Sequence, residues 1–210
     1  ELFGFDSDME LDMGMPWYRP IRLCHFTSGS SFGWRSGSGK FPEDYPDNLP
    51  GIVNMGQGSP TGVMNGEGLR FPSYYQNGLY LFDWSYGTMY FAKLNPKGSS
   101  YSVDLSEFIS GVPLPLTNGI VGDDGAMYFL TGGRRLESAL YKLTYRGDRP
   151  SEVLVLSENE EGKTERALRK ELEVYHLEKD QGKINFILEN IGHADRVTRF
   201  SARIALENQD

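Results

Sequence analysis

Cysteine is almost absent from this chain: Cys24 is the only one in 210 residues. That excludes an internal disulfide and a cysteine-rich metal site. Close to Leu23 and Phe26, Cys24 reads as a small buried hydrophobe, and no Cys–His pair emerges from the spacing. Histidine is scarce as well, with three residues. No apolar run approaches the about 18–20 residues that a membrane-spanning helix needs. Lysines and arginines form no cluster, and the net charge is −8, which opposes binding to a phosphate backbone and excludes nucleic acid as a partner. Neither a Walker loop nor Gly-x-Gly-x-x-Gly leading into a helix occurs, nor His-Glu-x-x-His, so nucleotide-loop and zinc-protease readings have no support. The chain also lacks an initiator Met and a signal peptide. It opens at Glu1 in what reads as the middle of a strand, and of a processed leader and a fragment the latter is preferred.

Proline is missing from one end only. All 11 prolines and 22 of the 25 glycines lie in residues 1–150, and the last 60 residues hold three of the 27 aromatics. Prolines and glycines punctuate turns while aromatics fill strands. Residues 1–150 therefore read as β-rich and 151–210 as helical. Strands are expected over Gly78–Trp84, Thr88–Leu94, Tyr101–Phe108, Ala126–Thr131 and Ala139–Tyr145. Turns are expected at Ser85–Gly87, Asn95–Gly98, Asp123–Gly125 and Gly132–Arg134. Short strands between regular turns fit the blades of a β-propeller, and fit a β-sandwich too. Residues 1–77 read as loop-heavy. In the last part, Leu168, Leu172 and Tyr175 share one helical face, as do Ile184, Ile187, Leu188 and Ile191. Asp195 is the expected N-cap of a helix over Arg196–Glu207. These amphipathic helices read as a helical hairpin or the first repeat of a solenoid, which buries its face poorly alone and predicts further chain beyond it.

The densest chemistry lies between Asp6 and Trp34. Asp6, Asp8, Glu10 and Asp12 alternate, so in a strand they would share one face and repel unless a cation, arginines or water screened them. Asp8, Glu10 and Asp12, with flexible Gly14 nearby, suit a hard cation such as Ca²⁺; a solvated strand edge is the alternative. Trp17, Tyr18 and Arg19, between two prolines, form an aromatic and cationic ledge on which a sugar could stack, or a packed plug. Trp34 and Arg35 repeat that combination after a glycine turn. His25, the only histidine of the β half, is either an acid–base group or a hydrogen-bonded structural residue. Asp83 and Trp84 read as substrate contacts or as packing at a junction between sheets. Arg134 either holds an anion or pairs with Asp123 or Glu137.

Several of these segments recur together and in order: Asp8-Met9-Glu10, Pro16-Trp17-Tyr18-Arg19-Pro20, Phe32-Gly33-Trp34-Arg35-Ser36-Gly37, Gly58-Ser59-Pro60-Thr61-Gly62, Asp83-Trp84-Ser85-Tyr86-Gly87, Pro113-Leu114-Pro115-Leu116-Thr117, Asp124-Gly125-Ala126-Met127-Tyr128-Phe129 and Gly132-Gly133-Arg134. The set resembles the "membrane-bound dehydrogenase" group of planctomycete-type bacteria, itself similar to the glucose/sorbosone dehydrogenases. The resemblance covers roughly residues 3–147. It implies the last few blades of a six-bladed propeller that uses pyrroloquinoline quinone and Ca²⁺ to oxidise a sugar or polyol. It implies quinone contacts at Arg19, Arg35 and Arg134, sugar contacts at Trp17, Tyr18, Trp34, Asp83 and Trp84, and metal ligands at Asp8, Glu10 and Asp12. It also implies a periplasmic or extracellular location, a HEAT-like region from 151 onward, with His193–Arg203 as one of its helices, and a cytochrome-type domain further on. No Cys-x-x-Cys-His occurs here, so no haem belongs to this chain. The family's catalytic histidine sits in earlier blades, outside the part that the resemblance covers. The arginine that the family carries ahead of the Asp-Gly-x-x-Tyr strand is replaced by Leu114-Pro115-Leu116-Thr117-Asn118. Two readings follow. In one, the chain is part of an exported sugar-dehydrogenase-like propeller, inactive on its own. In the other, it is a non-catalytic carbohydrate- or protein-binding propeller with helical docking repeats.

Overall fold

The computed structural model describes residues 1–7, 19–35, 39–154 and 160–209. The chain is mainly β, with twelve strands among the described residues followed by three α-helices. Strands β1 (Leu2–Asp6), β2 (Ile21–Phe26) and β5 (Val53–Gly56) form one antiparallel sheet in the order β1-β2-β5. The two-residue strands β3 (Trp34–Arg35) and β4 (Gly39–Lys40) pair in the loop between β2 and β5. The central sheet is a four-stranded meander of β6 (Pro60–Asn65), β7 (Leu79–Asp83), β8 (Thr88–Lys97) and β9 (Ser100–Ser110). The third sheet runs β10 (Leu116–Val121), β11 (Met127–Gly133) and β12 (Leu136–Leu143).

The central sheet is sandwiched between the other two. In β7 every residue of Leu79-Tyr80-Leu81-Phe82-Asp83 is buried. Alternate side chains point to opposite faces. Leu79 and Leu81 therefore pack with Leu23, Phe3 and Phe5 of the first sheet, while Tyr80 and Phe82 pack with Leu116, Met127 and Phe129 of the third. Gly119 allows the close approach of β10: a Cβ there would sit 2.7 Å from Phe82 Cζ. Burial pushes the Tyr80 phenol well above its ordinary range, helped by Tyr75, and its hydroxyl donates to the Tyr75 carbonyl at 2.8 Å. No closed ring of sheets is present among the described residues.

The helices α1 (Lys163–Val174), α2 (Ile184–Asn190) and α3 (Arg196–Glu207) close over Leu172, Tyr175, Ile187, Ala202 and Ala205; of the faces that the spacing predicts, Leu188 alone stands well out, 49% exposed. Asp195 caps α3, accepting from Thr198 N at 2.8 Å. The first 77 residues depart from the loop-heavy expectation, since they hold β1, β2, β5 and β6. The turn expected at Asn95–Gly98 is shorter, because β8 continues to Lys97 and pairs Pro96 with Tyr101. Beyond Ala92, β8 pairs only with β9, so a proline is tolerated on its free side.

Candidate functional site

The strand register puts three of the candidate residues, Asp83, Trp84 and Arg134, at one end of the sheets. Ile21 pairs with Gly56 at the start of β2. Pro60 and Thr88 pair with Asp83. Gly133 pairs with Leu136. Trp84 N donates to Ser59 O at 2.9 Å, extending the β6–β7 ladder, and bonds to the third sheet join these ends: Thr61 Oγ1 to Leu116 O at 2.9 Å and Trp84 Nε1 to Gly132 O at 2.8 Å. Gly58 lies between β2 and β7, where a Cβ would come within 2.6 Å of Ile21 Cδ1 and 2.9 Å of Asp83 Oδ2. Asp83, fully buried, accepts from Ser59 N at 2.8 Å and Ser85 N at 3.0 Å. Its geometry is that of a turn organiser that aims the following Trp84.

Opposite Trp84 stands the β11–β12 hairpin. Gly132, Gly133, Arg134 and Arg135 have φ values of 149, 104, 44 and 70°, four successive residues in the left-handed region. Two central turn residues with positive φ are the signature of a type I′ hairpin, where Asn-Gly is the ordinary choice. An arginine in that region costs about 1–2 kcal/mol, and this turn carries two. The Arg134 guanidinium lies 5.7 Å from the centroid of the Trp84 ring, a cation–π distance. Arg135 is exposed, and no hydrogen bond or ion pair holds either guanidinium among the described residues. Tyr86, exposed in the next turn, donates its hydroxyl to Gln57 Oε1 at 3.1 Å.

Trp34 belongs to a different arrangement. Its Nε1 donates to Asp6 Oδ1 at 2.9 Å, and Asp6 Oδ2 accepts from Arg22 Nη2 at 2.6 Å. Arg22 is buried and also donates to Phe32 O at 2.8 Å. The first carboxylate of the alternating ladder is thus neutralised by an arginine 16 residues away. Arg19 and Arg22 line a cleft of about 400 Å³ with Phe41, Glu43 and Asn54. Trp17, Tyr18, Asp8, Glu10 and Asp12 lie outside the described residues, as does the side chain of Arg35.

His25 is separated from all of these. It lies near the other end of β2, where Phe3 pairs with it and stacks at 5.0 Å. Its Nδ1 meets Ser100 Oγ at 2.9 Å and its Nε2 meets Glu1 Oε2 at 2.8 Å. Arg169 of α1, buried, donates to both Glu1 oxygens at 2.8 Å and to Glu173 at 2.7 Å. Partial burial opposes ionisation of Glu1, but the His25 hydrogen bond and the Arg169 charge outweigh it and hold its carboxyl far below the ordinary range. The histidine therefore ties the first sheet to β9 and α1. Glu1, Arg22 and Arg169 were not legible as partners, because each pairing is set by the fold and not by spacing. One further motif proves inert: Gly29-Ser30-Ser31-Phe32-Gly33 has the Gly-x-Ser-x-Gly spacing, yet it lies in the loop after β2 with no helix following, unlike a nucleophile elbow.

Among the described residues no group of three His, Cys, Asp or Glu side chains is placed to hold a metal. Nor do the described arginines converge as a tricarboxylate quinone would require. Arg134 lies on Trp84, whereas Arg19 lines the separate cleft beside Arg22.

No protein-family model matches the chain, and no curated protein matches it in sequence. Solved structures do. A Thermus thermophilus protein described as an oxidoreductase (glucose dehydrogenase) superposes with a TM-score of 0.50 at 17% identity, covering 67% of this chain and 40% of that one. A second structure, described as glucose dehydrogenase, gives 0.53 at 15% identity over 69% and 40%. The chain thus spans about two fifths of the length of the structures it matches. At such identities the likeness is one of fold: the stacked sheets have a glucose dehydrogenase-like architecture.

Proposed function

We propose that the chain is part of a sugar- or polyol-oxidising propeller of the glucose/sorbosone dehydrogenase kind, exported to the periplasm or cell exterior. Residues 1–150 would form some of its blades and 151–210 the beginning of a HEAT-like helical region. The observation that carries this is the convergence of three stacked antiparallel sheets, with the fold of glucose dehydrogenases, on the aromatic and cationic ledge of Trp84 and Arg134. The ledge supplies substrate-side contacts: a sugar ring stacks on indole and its oxygens bond to guanidinium. The base is not assigned to this chain, since His25 is engaged by Glu1 and Ser100 at the far end of the sheets. The described residues assemble no site for a quinone or Ca²⁺, and Ca²⁺ would be held by Asp8, Glu10 and Asp12.

The second reading, a carbohydrate-binding propeller without turnover, is favoured by that same engagement of His25. The deciding experiment is dye-coupled oxidation by the full-length protein over a panel of sugars and polyols, with and without pyrroloquinoline quinone and Ca²⁺. Turnover that needs both additions is the expected result. Retention on immobilised polysaccharide with no turnover would establish the second reading.

A further inference from the structure

We infer that the Trp84 face and the Arg134–Arg135 hairpin tip bind a sugar that carries an anionic group, a carboxylate or a sulfate ester. This rests on the sugar-directed reading above and narrows it. Three observations carry it. The indole is anchored by its polar edge, Nε1 donating to Gly132 O at 2.8 Å. The ring is half-buried and carries the Arg134 guanidinium over it at 5.7 Å, so a sugar would meet an apolar surface and a cation together. The second observation is the charge. Three arginines at contacts between elements are matched by carboxylates, Arg22 by Asp6, Arg169 by Glu1 and Glu173, Arg203 by Asp47 and Glu207, and Arg196 is held by three backbone carbonyls. At the tip two adjacent guanidiniums meet no carboxylate among the described residues, in a chain with 29 acidic and 21 basic residues. The third is the backbone. Both arginines occupy positive-φ positions that glycine or asparagine would fill without strain. Strained residues kept at an exposed tip are those whose side chains are needed there. A neutral sugar would leave two charges unused, and an inorganic anion would leave the ring unused. A guanidinium fork matches the two oxygens of a carboxylate or a sulfate.

The test uses the 210-residue chain and calorimetry at low salt with three probes: a galacturonate trisaccharide, the neutral galactose trisaccharide and a sulfated galactose oligosaccharide. We expect at least one acidic probe to bind ten-fold or more tighter than the neutral one, and the two acidic probes then separate carboxylate from sulfate recognition. The preference should fall at least five-fold in Arg134→Gln and in Arg135→Gln. Arg135→Gly adds a readout that a structural turn would not give: relief of the backbone should raise Tm by about 2–4 °C while binding weakens. Higher Tm with unchanged binding of the acidic probe would overturn the inference. So would equal binding of neutral and acidic sugars, which would leave the sugar-directed reading standing, or competition by inorganic sulfate at the same affinity. Binding of none of the probes by a folded chain would overturn both.

Discussion

Asp195 shows how much one side chain can hold together. It caps α3 through Thr198 N, accepts from Ser99 N at 3.4 Å and is bonded by the Ser99 hydroxyl at the tip of the β8–β9 hairpin. Partial burial works against its charge, but the Ser99 and Thr198 donors prevail and hold its carboxyl below the ordinary aspartate range. Because the folded pKa is depressed, the unfolded chain takes up the proton first as pH falls. The stabilisation is complete above the unfolded pKa of about 3.9 and is lost as pH drops through the folded value. Asp195→Ala should cost about 1–2 kcal/mol at pH 7 by loss of the cap, and Asp195→Asn should lose less. Urea midpoints from pH 7 to 3 test the linkage: the gap between wild type and Asp195→Asn should narrow in acid, and a gap independent of pH would refute it. The cap was legible in the sequence, because an aspartate ahead of an apolar periodicity is a local signal. The Ser99 partnership was not, because it spans 96 residues. Asp6 repeats the lesson. Its place in an alternating acidic run called for screening by a cation, arginines or water, and the fold supplies Arg22, with Trp34 as a second donor.

At the scale of elements, strands and helices with a clean period were the readable ones. Strands β7, β8, β9, β11 and β12 lie where turns and alternation placed them, within a few residues. Strand β2 escaped because Ile21-Arg22-Leu23-Cys24-His25 are all buried, so no polar face alternates with an apolar one. Strand β10 escaped because Thr117, Asn118 and Gly119 interrupt its apolar residues. The docking of α3 was equally hidden. Arg196, its first residue, donates to the carbonyls of Glu43, Tyr45 at 3.0 Å and Asn48 at 2.8 Å, while Arg203, two turns further along the same face, reaches Asp47 at 2.6 Å. A cation at a helix N-terminus opposes the macrodipole, so the loop carbonyls must offset that cost. Arg196→Ala would remove a donor from three carbonyl oxygens, of which Tyr45 O keeps Asn48 N at 3.1 Å, at about 1–3 kcal/mol if the other two stay buried. Hydrogen exchange should then quicken at Asn48 and Leu49 and along the first turn of α3, with the central sheet unaffected. Uniform acceleration through β7 and β8 would mean that the helices and sheets unfold together.

For the whole molecule, the decisive asymmetry is between the two faces of the third sheet. Val121, Met127, Phe129 and Leu143 face the central sheet. On the opposite face Ile120, Leu130 and Leu140 are 65, 48 and 66% exposed, and the register sets Leu130 beside Leu140. On the first sheet the corresponding face is smaller: Cys24 is buried, and Leu2 and Phe26, paired at one end, are exposed. A contiguous apolar face next to an exposed edge strand such as β12 is a surface that associates when nothing covers it. In a propeller the neighbouring blade would cover it, and the match takes up 40% of each of the matched structures. The 210-residue chain should therefore self-associate at tens of micromolar, as read by light scattering after size exclusion. Leu130→Lys with Leu140→Lys should return it to a monomer without loss of Tm, because neither side chain belongs to a core cluster. A wild-type chain that stays monomeric and binds no hydrophobic dye would show that this face needs no partner, and would remove the main physical reason for placing a further sheet against it.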